Sequence, residues 1–198
     1  MRILLASKSE ARRAMLSAAG IAFETVAAEL DEAAAKSGLE AAGFDARGVA
    51  EELAQLKALS AEGVGQADLV IGSDQTLELD DGTMLSKPGS RAEAFEQLRA
   101  LSNRTHLLHS AAVVVEGGET RWWQSETVAL TMRPLSDSFL ETYLDCEYEA
   151  IRWSVGGYRI EGLGVQLFER VEGSHFAVLG MPLLPLLAYL RERGVVDS

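Results

Sequence analysis

The chain has 198 residues carrying 30 acidic against 18 basic side chains, a formal net charge of -12. Such a length is near one large domain or two small ones and buries roughly 70% of the unfolded surface, and a hydrophobic fraction of 47% with 24% charged residues excludes global disorder. The acidic balance argues against wrapping nucleic acid or lying on an anionic membrane, yet leaves open a small anionic ligand held in a locally basic cleft.

Ile3 to Ala6 reads as a buried strand and Ser9 to Ala19 as a helix stopped by Gly20. The join, Ser7-Lys8-Ser9-Glu10, has a capping-box pattern in which a hydroxyl and a carboxylate take up orphan amides. Ala22 to Val26 reads as a second strand. Leu30 to Arg47 is Ala-, Gly- and acid-rich with weak periodicity, and reads as a mobile loop opened by Asp31-Glu32. Val49 to Ser60 places Val49, Leu53, Leu56 and Leu59 at helical spacing, with Lys57 on that helix. Leu69 to Asp74 is a buried strand ending in small and polar residues, and Asp80-Asp81-Gly82 signals a hairpin turn.

After the loop Ser86-Lys87-Pro88-Gly89, Arg91 to Leu101 predicts an amphipathic helix. Two strands follow, Leu107 to Val115 and Thr120 to Thr131, joined by Glu116-Gly117-Gly118-Glu119. Asp137 to Tyr143 predicts a helix capped by Ser136, Gly156 to Gly164 interrupts the pattern, and Leu183 to Arg193 is a final helix. Irregular alternation with a central antiparallel hairpin predicts a mixed sheet. No apolar run reaches the ~18 residues that span a bilayer. The apolar stretch after Met1 is too short for a signal peptide, so a cytoplasmic protein is the simplest reading.

Four segments could carry chemistry. The strand-to-helix join offers a helix N-terminus flanked by Lys8, Arg12 and Arg13, which suits phosphate, or it is a capped surface helix. Asp74 closes a buried strand, where open α/β sheets bind ligands, or it starts a turn. Lys87 stands in a loop stiffened by Pro88, and Asp31-Glu32 could offer oxygen ligands to a hard cation; solvated side chains are the alternative for both. The single cysteine, Cys146, excludes an intrachain disulfide and a Cys-rich zinc site. His106 and His109 are three apart on a predicted strand, so they face opposite sides and make a poor metal pair. Trp122 and Trp123 likewise face opposite sides, one toward the core and one toward an interface.

Taken in order, the segments Ala6-Ser7-Lys8-Ser9-Glu10-Ala11-Arg12-Arg13, Asp31-Glu32, Lys57-Ala58, Gly72-Ser73-Asp74 and Ser86-Lys87-Pro88 resemble the Maf family of nucleoside triphosphate pyrophosphatases. Later segments continue the likeness: Leu101-Ser102, Glu126-Thr127-Val128 to Arg133-Pro134-Leu135, and Gly157-Tyr158-Arg159-Ile160-Glu161-Gly162. Glu172-Gly173-Ser174 and Val178-Leu179-Gly180-Met181-Pro182-Leu183 complete it.

The resemblance implies an elongated α/β fold with a mixed sheet and a central cleft, similar to the inosine triphosphate pyrophosphatases. It implies one domain over 1–198, with two lobes around that cleft as the finer reading. The implied reaction is hydrolysis of a nucleoside triphosphate to the monophosphate and pyrophosphate, in nucleotide house-cleaning, with a divalent cation (Mg²⁺ or Mn²⁺) as cofactor; the assembly is left open, a homodimer being one option. Implied catalytic residues are Asp74, Lys57 and Lys87; Glu32 and Asp74 are the implied metal ligands. Ser7, Arg12 and Arg13 would hold the triphosphate, and Glu161 would meet the base. The segments around Asp74 and Glu161 lean toward 7-methyl-GTP over dTTP or UTP. Glu10, Ala11, Ser86, Asn103 and Ser110-Ala111 depart from the family pattern, and those at Glu10, Ala11 and Ser86 keep a catalytically impaired nucleotide-binding regulator of septum formation as a rival. A pyrophosphatase for inosine or xanthosine triphosphate, which shares the fold and reaction but not the motif order, is a third reading.

Overall fold

The first strand, β1 (Ile3–Ala6), is buried along its whole length, as an apolar run inside a parallel sheet must be. Ser9 caps α1 (Glu10–Ala18) by accepting from the Arg12 amide. The expected capping box does not form, because Glu10 is the first helical residue and cannot reach back as a third one would. Its carboxylate lies 3.8 Å from Arg13, and Ser7 Oγ instead accepts from the Ser9 amide at 3.3 Å. The computed structural model describes residues 1–197.

β2 (Glu24–Thr25) is shorter than the predicted strand. The predicted mobile loop is largely helical. Asp31 caps α2 (Glu32–Ala41), and Asp45 caps α3 (Ala46–Leu59). No residue of α2 is buried, so it has no apolar period to detect; its alanines and its cap carry it instead.

β3 (Leu69–Glu78) runs past Asp74, since the buried Thr76 and Leu77 continue it. It forms the predicted hairpin with β4 (Met84–Leu85), whose turn holds Gly82 at φ 83°. α4 (Arg91–Leu101) matches its prediction. β5 (Thr105–Glu116) and β6 (Glu119–Met132) meet at Gly117 and Gly118, with φ of 61° and 81°. α5 (Asp137–Ile151) continues well beyond Tyr143, because Leu144 and Ile151 extend its buried stripe. β7 (Phe168–Glu172), α6 (His175–Val178) and α7 (Leu183–Glu192) complete the elements.

The seven-stranded sheet has the order β2-β1-β3-β5-β6-β7, with β4 on β3. β1 pairs in parallel with β2 and β3, whereas β6 and β7 are antiparallel, so the sheet is mixed as predicted. The described chain forms two compact units. The first comprises Met1–Gln75, Ser110–Glu126 and the segment from Ser174 onward; the second comprises Thr76–His109 and Thr127–Gly173. No helix among the described residues is long and apolar enough to cross a membrane.

In the first unit, strand alternation builds two cores. Ile3, Leu5, Leu69, Ile71, Ala112 and Val114 pack with residues of α1 and α7. Leu4, Ala6, Val70, Ala111, Val113 and Val115 pack with Ala50, Ala54 and Ala58 of α3. That alanine stripe lets α3 lie close to the sheet, and Gly72 completes the contact. A Cβ on Gly72 would sit 2.1 Å from Ala54 O and 2.9 Å from Ala58 Cβ. Gly72→Ala should therefore cost about 2–3 kcal/mol, read from urea unfolding, since backbone must move to make room.

The second unit is the one in which Asn103 takes φ 57°, the left-handed region that Asn tolerates best among non-glycine residues. It is the one non-glycine residue with positive φ among the described residues, so Ser86 and Ala111 stand in ordinary backbone.

Candidate functional site

β1 stops at Ala6, opposite Gly72 of β3. Beyond that point β3 has lost its neighbour on that side, and Asp74 lies in the space that opens. Gly72 and Asp74 share the strand face turned to α3, so Asp74 meets Lys57. Lys57 Nζ lies 2.6 Å from Asp74 Oδ1 and 3.1 Å from Glu32 Oε2. The Lys57 side chain is 8% exposed and that of Asp74 13%, whereas Glu32, at the start of α2, is 52% exposed. Burial strengthens this charge pairing, because little water screens it. Three of the predicted site residues thus come together.

The opposite face of β3 carries Ser73 and Gln75. Ser73 Oγ donates to Gly180 O at 2.9 Å, and Gln75 Nε2 lies 2.9 Å from Ser110 Oγ and from Ala177 O. Arg12 is buried against this same segment. Its Nε donates to Gly180 O at 2.8 Å, and its Nη1 to Ser73 O at 2.9 Å and Ser7 Oγ at 3.4 Å. Burial pushes the Arg12 guanidinium below its ordinary value, and the charges of Asp74 and Glu32 oppose that shift. Arg12 therefore joins Ser7, Ser73 and Gly180 into one hydrogen-bonded unit behind the Asp74 cluster. Arg13 instead points outward with its side chain 42% exposed. In the sequence the segment Gly72-Ser73-Asp74-Gln75 stands out through Asp74 alone; the two-residue alternation after Gly72 is the signal that puts Ser73 and Gln75 on the other face.

Asp74 and Glu32 converge on the single Nζ of Lys57, so both carboxylates reach one cation-sized point. Among the described residues, no group of three or more His, Cys, Asp or Glu gathers into a ligand set. Two hard oxygen donors and no third acid fit Mg²⁺ or Mn²⁺ whose remaining positions are taken by water and phosphate oxygens, and do not fit a closed protein cage.

Lys87 and Glu161 belong to the second unit. Lys87 is exposed in the loop before α4, while Gln97 Nε2 donates to Ser86 O at 3.0 Å and fixes the residue before it. Glu161 is exposed in the turn Arg159–Gly162, closed by the Gly162 amide on Arg159 O at 3.2 Å. Both histidines are engaged: His109 Nε2 faces Glu78 Oε2 at 2.8 Å and Nδ1 faces Thr127 Oγ1 at 2.9 Å. His106 Nε2 meets Tyr158 Oη at 2.7 Å. In the first unit, Trp122 stacks on Tyr189 while Trp123 is 57% exposed.

Burial lowers the His106 pKa from 6.5 to about 4. The unfolded chain therefore binds a proton at His106 between these values while the folded chain does not. Stability from this residue is complete above pH 6.5 and is lost as pH falls toward 4. The slope is at most about 1.4 kcal/mol per pH unit. Urea unfolding of wild type and His106→Asn across that window should show the smaller pH dependence in the variant.

The fold and this charged cluster define an α/β protein with a lysine-bridged pair of carboxylates beside a strand-to-helix loop. The profile of the Maf-like protein family matches residues 2–193, and the chain belongs to that family. It is 48% identical over 198 residues, covering 100% of both chains, to a nucleoside triphosphate pyrophosphatase of Sphingopyxis alaskensis. It is 48% identical over 197 residues, 99% of this chain and 98% of the relative, to a 7-methyl-GTP pyrophosphatase of Rhizobium meliloti. Among solved structures, a dITP/XTP pyrophosphatase of Mycobacterium abscessus is similar at TM-score 0.47 and 17% identity, covering 98% of this chain and 96% of the other.

Proposed function

We propose that this chain hydrolyses a nucleoside triphosphate to the monophosphate and pyrophosphate, as a house-cleaning enzyme, with 7-methyl-GTP as the favoured substrate. The observation that carries this reading is the convergence of Asp74 and Glu32 on Lys57, at 2.6 and 3.1 Å. The names of the full-length relatives support it, two of them 7-methyl-GTP pyrophosphatases from Rhizobium meliloti and Rhizobium etli. Water attacks the α-phosphorus, the new P–O bond forms as the bond to the bridging oxygen breaks, and pyrophosphate leaves.

Asp74 orients that water and takes up its proton, and Glu32 with Asp74 would hold Mg²⁺ or Mn²⁺. When bound, such a cation supplies charge neutralisation for the phosphate oxygens. Lys57 and Lys87 offset charge growing on the phosphates. Ser7 and Arg13 hold the triphosphate, with Arg12 adding charge from behind the loop. Glu161 accepts hydrogen bonds from a guanine-like edge. A cytoplasmic homodimer with no nucleic-acid or membrane partner completes the reading.

Pyrophosphate release from a panel of canonical and methylated triphosphates, with Mg²⁺ or Mn²⁺, tests it. The expected result is the highest kcat/KM with 7-methyl-GTP and loss of turnover on chelation with EDTA. Release of orthophosphate instead of pyrophosphate would overturn the reaction. Tight nucleotide binding with no turnover under either metal would turn the reading to the regulator of septum formation.

A further inference from the structure

The turn that carries Glu161 is held from several directions, yet Glu161 itself makes no hydrogen bond or ion pair among the described residues. Tyr158, three residues before it, is buried; its hydroxyl meets His106 Nε2 at 2.7 Å and its ring packs edge-on against Phe168 at 4.8 Å. Tyr143 Oη donates to Gly157 O at 3.3 Å. Burial pushes both phenols well above the usual tyrosine range, so both remain hydroxyl groups in these bonds. Arg159 Nη2 lies 3.1 Å from Glu147 Oε2, and the Glu147 side chain is only 12% exposed. On the far side, a Cβ at Gly164 would lie 2.4 Å from Arg159 O, so the chain folds back directly against Arg159.

These contacts come from α5, β5 and β7, three separate elements, and all lie within the second unit. A surface turn needs no such support for its own sake. Its charged neighbour Arg159 is spent on Glu147, which leaves Glu161 free to meet something from outside. A carboxylate discriminates one hydrogen-bonding edge from another only if its position is fixed before binding.

We propose that the Glu147–Arg159 ion pair and the His106–Tyr158 hydrogen bond are positioning devices that fix Glu161 for base selection. This rests on the nucleotide reading of Glu161 given above. Glu147 is a positioning residue: it acts through Arg159 on the turn and does not touch substrate. Its removal should weaken binding of the preferred base and leave the phosphate chemistry alone.

The test measures the dissociation constants of 7-methyl-GTP, GTP and UTP by calorimetry, with kcat and KM where turnover occurs. The proteins are wild type, Glu147→Gln, Glu161→Gln and the double variant. The expected result is that Glu147→Gln lowers the preference between the best and worst nucleotide about 5–20-fold, through KM with kcat within twofold, as loss of ground-state binding does. In the Glu161→Gln background the same change should add nothing, since its effect passes through Glu161. Should Glu147→Gln unfold the protein, Tyr158→Phe, which removes only the hydroxyl bonded to His106, reads the same preference. Unchanged preference in a folded variant, or equal losses in the presence and absence of Glu161, overturns the proposal. If wild type turns over no triphosphate but its binding preference still collapses in Glu147→Gln, the hydrolysis reading fails and the positioning role stands.

Discussion

Asp74→Asn should lower kcat for pyrophosphate release on the order of 10³-fold while leaving the fold intact. Asparagine keeps the volume and one carbonyl oxygen, so the packing between β3 and α3 has no cavity to absorb. It removes the charge that would draw a cation and the basic oxygen that would take a proton from water. Lys57 retains Glu32 at 3.1 Å, so its ammonium is not stranded without a partner. The comparison is single-turnover kinetics under saturating Mg²⁺, with a thermal melt of each protein beside it. An Asn variant within tenfold of wild type would take Asp74 out of the chemistry.

Arg12→Ala should destabilise the first unit by about 3–5 kcal/mol, read as a fall in the urea midpoint. The side chain is 8% exposed and donates to two main-chain carbonyls, Gly180 O and Ser73 O, and to Ser7 Oγ. Alanine removes the guanidinium from both buried carbonyls, leaving Gly180 O with Ser73 Oγ as its remaining side-chain donor, and opens a cavity beneath Gly180, whose missing Cβ would lie 3.2 Å from the guanidinium. Arg12→Lys should recover less than half of the loss, because an ammonium lacks the planar fork that reaches both carbonyls. A variant as stable as wild type would show that Arg12 serves substrate alone. Arg13 provides the contrast, since its exposed side chain and distant Glu10 partner imply a change within about 0.5 kcal/mol for Arg13→Ala.

Much of the fold was legible because its signals are local. β1, α4 and the β5–β6 hairpin follow from apolar runs, helical spacing and the Gly117-Gly118 turn. α2 is not legible, since a helix that buries nothing leaves no period in the sequence, and its segment reads as a mobile loop. The end of β3 was misplaced for a related reason. Small polar residues at Gly72-Ser73-Asp74 look like a strand end, yet Thr76 and Leu77 are buried and carry the strand on. The capping box failed by two positions, a shift that only the helix phase decides.

The candidate site divides in the same way. Its ordered motifs name Asp74, Glu32, Lys57, Arg12, Arg13, Lys87 and Glu161 as the charged residues of interest, with the Ser7 hydroxyl beside them, within an acidic chain of net charge -12. By itself the sequence thus determined the family resemblance, the mixed α/β class and the residue types available for phosphate and cation chemistry. Tertiary structure decided their use. It gave Lys57 to both Asp74 and Glu32, because an alanine stripe on α3 and the bare Gly72 bring helix and strand into close contact. It took Arg12 into the interior as a partner for Gly180 and Ser73. It bound Arg159 to Glu147, leaving Glu161 free. Charge pairing depends on which side chains share a buried space, and residues far apart in the chain meet there only once the sheet has formed.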